Sequence, residues 1–305
     1  MTDTPTRIDM PEVSWTALGA AWMRAQEGRR PDALFSDPVA AQFVDAVGGE
    51  APYIAAGEQA LADAGGDVLA NPFTAMGDYV AIRTRWLDDL LRAAAADGIR
   101  QVVLLAAGLD TRAQRLPWPA GLRLFELDLP GLVAFKERVL RDGGAPPTCD
   151  RVTVSCDLRG DWPAALRDAG FDPGRPAVWL AEGLLHYLTP AVNQSMLDGV
   201  AGLSAPGSLL AVDHIEAAMM GGNNAETANS TGLAYDQLVK GGPGEHVVTW
   251  LERSGWLPTV HEVADCALRY GRPVPPLIDP AVPGSVRDGA VFLLARRNVP
   301  SPDSR

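Results

Sequence analysis

From residue 100 onward the chain alternates short apolar runs with stretches of helical period. Residues 101–106 (QVVLLA) are almost continuously apolar, as expected for a strand buried on both faces of a parallel sheet. Residues 122–128, 152–156, 177–182 and 208–213 read the same way. Between them, 130–141, 162–169 and 190–203 have helical patterns. Proline opens the first and third of these, at a position where its missing N–H is harmless. Strand and helix in alternation predict a doubly wound α/β sheet. Two further strand patterns, 257–263 and 290–295, are joined by a Pro/Gly-rich link without helical period. The last strand is therefore expected to run antiparallel beside its predecessor, giving seven strands in a mostly parallel sheet.

The first hundred residues lack strand patterns. Residues 14–26, 38–47 and 74–96 are helical in period, and Ser36-Asp37-Pro38 forms a cap-and-start signal. Residues 1–97 are therefore expected to form a helical cap over the carboxyl edge of a sheet domain spanning 98–305. Within that domain 217–244, with Gly221-Gly222-Asn223-Asn224, reads as a lid.

Composition narrows the partners. With 305 residues, 47% hydrophobic and 21% charged, the chain can fill one large core. The 26 basic and 38 acidic side chains give a formal charge of -12, which repels phosphate backbones and anionic lipid, so neither nucleic acid nor membrane is an expected partner. Cys149, Cys156 and Cys266 are too few and scattered for a disulfide framework or a C-x-x-C site, and no metal is expected. There is no charged-then-apolar leader and no run of roughly 18–20 apolar residues, so a cytoplasmic protein is expected.

In open α/β sheets, ligands bind beyond the carboxyl ends of the strands. Ala107-Gly108-Leu109-Asp110 follows the first strand, and its glycine lets backbone approach a ligand closely. The dinucleotide fingerprint G-x-G-x-x-G is absent. Asp128 ends the second strand, twenty positions past Gly108. It is placed either to accept both ribose hydroxyls of an adenosine-containing cofactor or to cap the helix at Pro130. Glu126 shares its face but lies deeper. Asp157-Leu158 follows the third strand, suited to the exocyclic amine of adenine, and Glu182-Gly183 the fourth. Strand-end acids with a glycine turn make a polar-rimmed slot fit for adenosine and a sulfonium.

Three blocks carry a family resemblance: 103–112 (VLLAAGLDTR) with 115–119 (RLPWP), 125–130 (FELDLP) with Lys136, and 179–188 (WLAEGLLHYL). Together with N-terminal pieces such as 34–38 (LFSDP), they resemble the leucine carboxyl methyltransferase-like family, in its bacterial branch related to tetracenomycin carboxyl O-methyltransferase. The similarity spans residues 13–297. It implies a Rossmann-like class I methyltransferase using S-adenosyl-L-methionine. By the match, Ala106, Ala107, Gly108 and Asp110 pass under the methionine part, Asp128 and Leu129 hold the ribose side, and Asp157 and Leu158 flank adenine. It further implies that Glu182 sits near the sulfonium, and that Arg83, helped by Arg24, binds the cofactor carboxylate. A guanidinium is the natural clamp for a carboxylate, although both arginines also suit the polar faces of helices. Many relatives have glycine where this chain has Ala106, and alanine fits there if its φ is negative.

Methyl transfer from a sulfonium is an in-line displacement that needs alignment in a dry slot. A carboxylate acceptor needs no base, whereas a phenol benefits from one. His186 and His214, just beyond the fourth and fifth strands, are either bases or pocket walls. Trp22 and Tyr187 are candidates to line the acceptor pocket. The expected activity is O-methylation of a small molecule in secondary metabolism, at a carboxylate or a polyketide-type hydroxyl. The alternatives are an NAD(P)-dependent oxidoreductase and a non-catalytic protein of the same fold.

Overall fold

The apolar run at residue 101 forms the centre of the sheet. In the computed structural model, which describes residues 12–47, 54, 59, 72–215, 238–276, 278–279 and 290–297, strand β1 (Gln101–Leu105) is buried at every position. It pairs in parallel with β2 (Arg123–Asp128) on one side and β4 (Ala177–Ala181) on the other. β3 (Asp150–Ser155) extends the sheet beyond β2, and β5 (Leu209–Ile215) extends it beyond β4, both in parallel. β7 (Ala290–Arg297) inserts antiparallel between β5 and β6 (Trp256–Glu262). The strand order is β3-β2-β1-β4-β5-β7-β6.

The period of two along each strand sorts the core into two layers. Val102, Leu104, Leu124, Val178, Leu180, Ala211 and Phe292 face one way. Against them pack α1 (Glu12–Glu27), α2 (Pro38–Ala46), α3 (Pro72–Ala96) and α5 (Pro130–Asp142). A short α4 (Arg112–Arg115) precedes β2. Val103, Leu105, Phe125, Trp179, Val212 and Leu293 face the other way, onto α6 (Trp162–Asp168), α7 (Pro190–Gly202) and α8 (Val247–Arg253). This is the doubly wound arrangement that alternating strands and helices predict. α3 belongs to the first layer along with the N-terminal helices: Trp86 stacks on Phe292 of β7, with ring centroids 5.1 Å apart.

Two features depart from the sequence reading. A helix, α9 (Val263–Arg269), follows β6 directly in the link read as lacking helical period. Two turns are too short to display a period, and burial of Val263, Cys266 and Ala267 stabilises the helix instead. Asp128 is also not the cap of α5. Leu129 occupies that position without a side-chain bond, and Pro130 supplies the start. Of the expected lid, residues 217–237 lie outside the described residues.

Candidate active site

The carboxyl edge of the sheet gathers strand-end acids around a buried set of arginines. After β1 the backbone turns sharply at Ala106 (φ 52°) and Gly108 (φ 54°). Ala106 is the one non-glycine residue with positive φ among the described residues, which corrects the expectation of a negative φ. An alanine there costs about 1–2 kcal/mol relative to relaxed backbone, so the surrounding contacts must over-determine the turn, as is usual at ligand sites. Those contacts are visible. Ala107 donates its N–H to Leu127 O at 2.9 Å, and Gly108 donates to Asp128 Oδ2 at 2.6 Å. A side chain at Gly108 would meet Ala17 Cβ of α1 at 3.4 Å, so α1 lies close over the turn.

Asp128 also accepts from Leu129 N–H at 2.7 Å. Burial pushes its carboxyl upward, and the two N–H groups partly offset this. Leu129 beside it is exposed (37%), and Leu158 is buried in the second layer. Asp157 is half-exposed and turned toward Arg159, whose guanidinium reaches its Oδ2 at 2.5 Å.

Behind this rim, Arg24, Arg83, Arg112 and Arg115 interleave with Asp37, Asp88, Asp110, Glu182 and Asp213. These nine side chains carry one negative charge in excess. Arg24 donates to Asp37 Oδ2 at 2.9 Å and to Leu109 O at 2.6 Å, so it holds the turn after β1. Arg83 donates to Glu182 Oε1 and to Asp213 Oδ2, both at 2.9 Å. Asp213 accepts besides from Tyr79 Oη at 3.0 Å and Gly183 N at 2.5 Å. Burial works against its ionisation, but Arg83 and these donors hold it below the ordinary carboxylate range. Burial alone would likewise raise Asp110; Arg112, with Lys136, Arg115 and Arg24 behind it, brings it down to about 2.

The two histidines differ in placement. His186 lies buried in the single helical turn Leu185–Tyr187 after β4. Burial pushes its imidazole down to about 4; Asp213 opposes this, while Arg83 and His214 reinforce it. His214 lies within β5 and not beyond it as expected, because the strand runs two residues further, and it shares the face opposite Asp213 with Leu210 and Val212. Tyr187 bonds to Thr16 of α1. Trp22 is 3% exposed in the first-layer core, and its indole N–H has no partner among the described residues. The structure thus brings Ala106, Ala107, Gly108, Asp110, Asp128, Glu182, Arg83 and Arg24 into one region. It sets Asp157 at the rim and Trp22 in the core. Sequence reasoning missed Asp213, Asp88 and Tyr79, and met Arg112 only as the end of the 103–112 block. Asp213 had a signal, since it too is an acid at a strand end.

His186 makes folding pH-dependent. Below pH 6.5 the unfolded chain takes up a proton at this imidazole that the folded chain refuses until about pH 4. Stability is therefore complete above pH 6.5 and falls by up to about 3 kcal/mol as pH drops to 4. His186→Gln is expected to flatten this arm of a urea-unfolding profile, and parallel profiles for the two proteins would contradict it.

Comparison with known proteins agrees with the topology. A solved DUF574-family protein from Streptomyces avermitilis aligns with a TM-score of 0.51 at 15% identity, covering 91% of this chain and 97% of that one. A Mycolicibacterium smegmatis protein is 44% identical over 90% of this chain and 93% of its own length. A Parafrankia protein is 46% identical, with 86% and 83% covered. Both relatives are named as candidate S-adenosyl-L-methionine-dependent methyltransferases. The family described as leucine carboxyl methyltransferase matches residues 17–201. With that match and the sheet order β3-β2-β1-β4-β5-β7-β6, this chain belongs to the leucine carboxyl methyltransferase family and has the class I methyltransferase fold.

Proposed function

We propose that this S-adenosyl-L-methionine-dependent methyltransferase methylates an oxygen of a small molecule, with a carboxylate as the acceptor. The observation that carries the choice of acceptor is His186, held neutral with its imidazole near 4. A base that weak is a poor acceptor for the proton of a phenol, whose pKa is near 10, whereas a carboxylate is already ionised at neutral pH and needs no base. A polyketide-type hydroxyl is the second reading.

The residues present suit the cofactor. The turn at Gly108 takes a positive φ that suits glycine, with α1 close over it, and Asp128 supplies a buried carboxylate at its side. Leu129 and Leu158 offer apolar faces to a planar base. The excess negative charge of the arginine–carboxylate network complements a cationic donor. S-adenosyl-L-methionine supplies an electrophilic methyl group when bound. In our reading Asp128 holds the ribose, Asp157 and Leu158 flank adenine, and Glu182 faces the cationic end. Arg83 has its guanidinium shared between Glu182 and Asp213, so it acts on the cofactor carboxylate only with those acids as neighbours. Tyr187, tied to α1 through Thr16, walls the acceptor side and excludes water. Of the proposed cap, α1 lies close over the turn after β1.

Transfer of labelled methyl to a panel of small carboxylic acids and phenols tests this reading. The expected product is a methyl ester, which releases labelled methanol in alkali. Label that appears only in alkali-stable ethers would overturn the carboxylate assignment.

A further inference from the structure

The loop after β1 and the end of β4 come from distant parts of the chain, yet one buried side chain ties them together. Arg112 is 2% exposed. Its Nε donates to Asp88 Oδ1 of α3 at 2.8 Å, and Nη1 donates to Asp110 and to Glu182 Oε2, the latter at 2.7 Å. Its backbone N–H also bonds Asp110 Oδ1 at 2.7 Å. Every other charge facing this cluster is placed to keep it in register. Arg115 takes both oxygens of Asp88, and Arg83 takes the free oxygen of Glu182. Lys136 and Arg24 act on Asp110 from further away.

A planar guanidinium can serve three carboxylates arranged around its edge, and a compact ammonium cannot. Side chains that only fill a core do not need that geometry. The carboxylates served here belong to the two segments that frame the pocket, 106–111 and 182–184, and to the helix that packs behind them.

We infer that Arg112 is a positioning residue for cofactor binding: through Asp110 and Glu182 it locks the loop after β1 to the end of β4 before the ligand arrives. The inference rests on assigning this pocket to S-adenosyl-L-methionine. Preorganisation of this kind is read as affinity, because a loosened pocket must be ordered again on binding. Asp110 adds a second signature. Buried and stripped of its main cation in Arg112→Gln, its carboxyl titrates at a higher pH, so binding weakens further with acid.

The test is Arg112→Lys, with S-adenosylhomocysteine titrated by calorimetry from pH 5.5 to 8.5 and amide exchange followed with and without ligand. We expect affinity at least tenfold weaker, with 106–111 and 182–184 losing protection together; in Arg112→Gln affinity also falls with acid. Arg272→Lys is the control. It weakens another buried arginine, bonded to Glu27 and Asp32, and should change affinity less than twofold. Arg112→Lys that binds within twofold of wild type overturns the inference, as does weaker binding with protection in both segments unchanged.

Should Arg112→Lys not fold, Glu182→Gln breaks the same tie from the other side. Exchange must then quicken at 106–111 as well as at 182–184; quickening at 182–184 alone overturns the lock. Wild-type protein that binds no ligand overturns the pocket assignment instead, while the exchange data still report on the tie.

Discussion

Replacing Asp213 by alanine is expected to remove about 3–5 kcal/mol of folding stability, the usual loss when one partner of a buried ion pair is deleted. Asp213 is 2% exposed and accepts from Arg83, Tyr79 and Gly183. Without it, a buried guanidinium keeps Glu182 as its anionic partner, and a phenol hydroxyl and a backbone N–H lose an acceptor. Asp213→Asn keeps the shape and one acceptor oxygen, so its loss should be smaller. The pH dependence follows from the depressed carboxyl. The stabilisation is present above the unfolded value of 3.8 and disappears as pH falls below it toward the folded one, beneath the window in which His186 acts. Urea unfolding at pH 7.5 measures the effect. A loss under about 1 kcal/mol would mean that neighbouring groups, and not Asp213, hold the end of β5.

Asp128→Ala is the larger effect on binding. Asp128 is the acid beside the Gly108 turn, and in our proposal its carboxylate holds the ribose. Two charge-assisted hydrogen bonds at about 1.5 kcal/mol each correspond to roughly a hundredfold loss of S-adenosylhomocysteine affinity. The turn must be checked alongside, because Gly108 N–H loses its acceptor too. Asp128→Asn, which keeps an acceptor oxygen for Gly108, separates the two contributions. A variant that binds as tightly as wild type contradicts the ribose assignment.

The fold was largely legible because a parallel sheet leaves an unmistakable trace. β1, β4 and β5 are buried at every position, so their sequences are nearly unbroken apolar runs. α9 left no such trace, since its seven residues bury only Val263, Cys266 and Ala267. Which residues meet at the carboxyl edge was legible where their position follows a strand: Gly108, Asp128 and Glu182. It was illegible where the role is set by contacts across the fold. Arg112 and Asp88 lie 24 positions apart, and Tyr79 reaches Asp213 across 134. No local pattern marks such pairs. Ala106 shows the reverse case: alanine's intrinsic preference is for negative φ, and tertiary bonds of its neighbours override it.

The central claim is that the carboxyl edge of this sheet, framed by Gly108, Asp128 and Glu182, is an S-adenosyl-L-methionine site. Calorimetric titration of the wild-type protein with S-adenosylhomocysteine tests it most directly. Saturable binding of one ligand per chain is expected, weakened roughly a hundredfold in Asp128→Ala. No heat of binding at millimolar ligand, from protein shown to be folded, would contradict it.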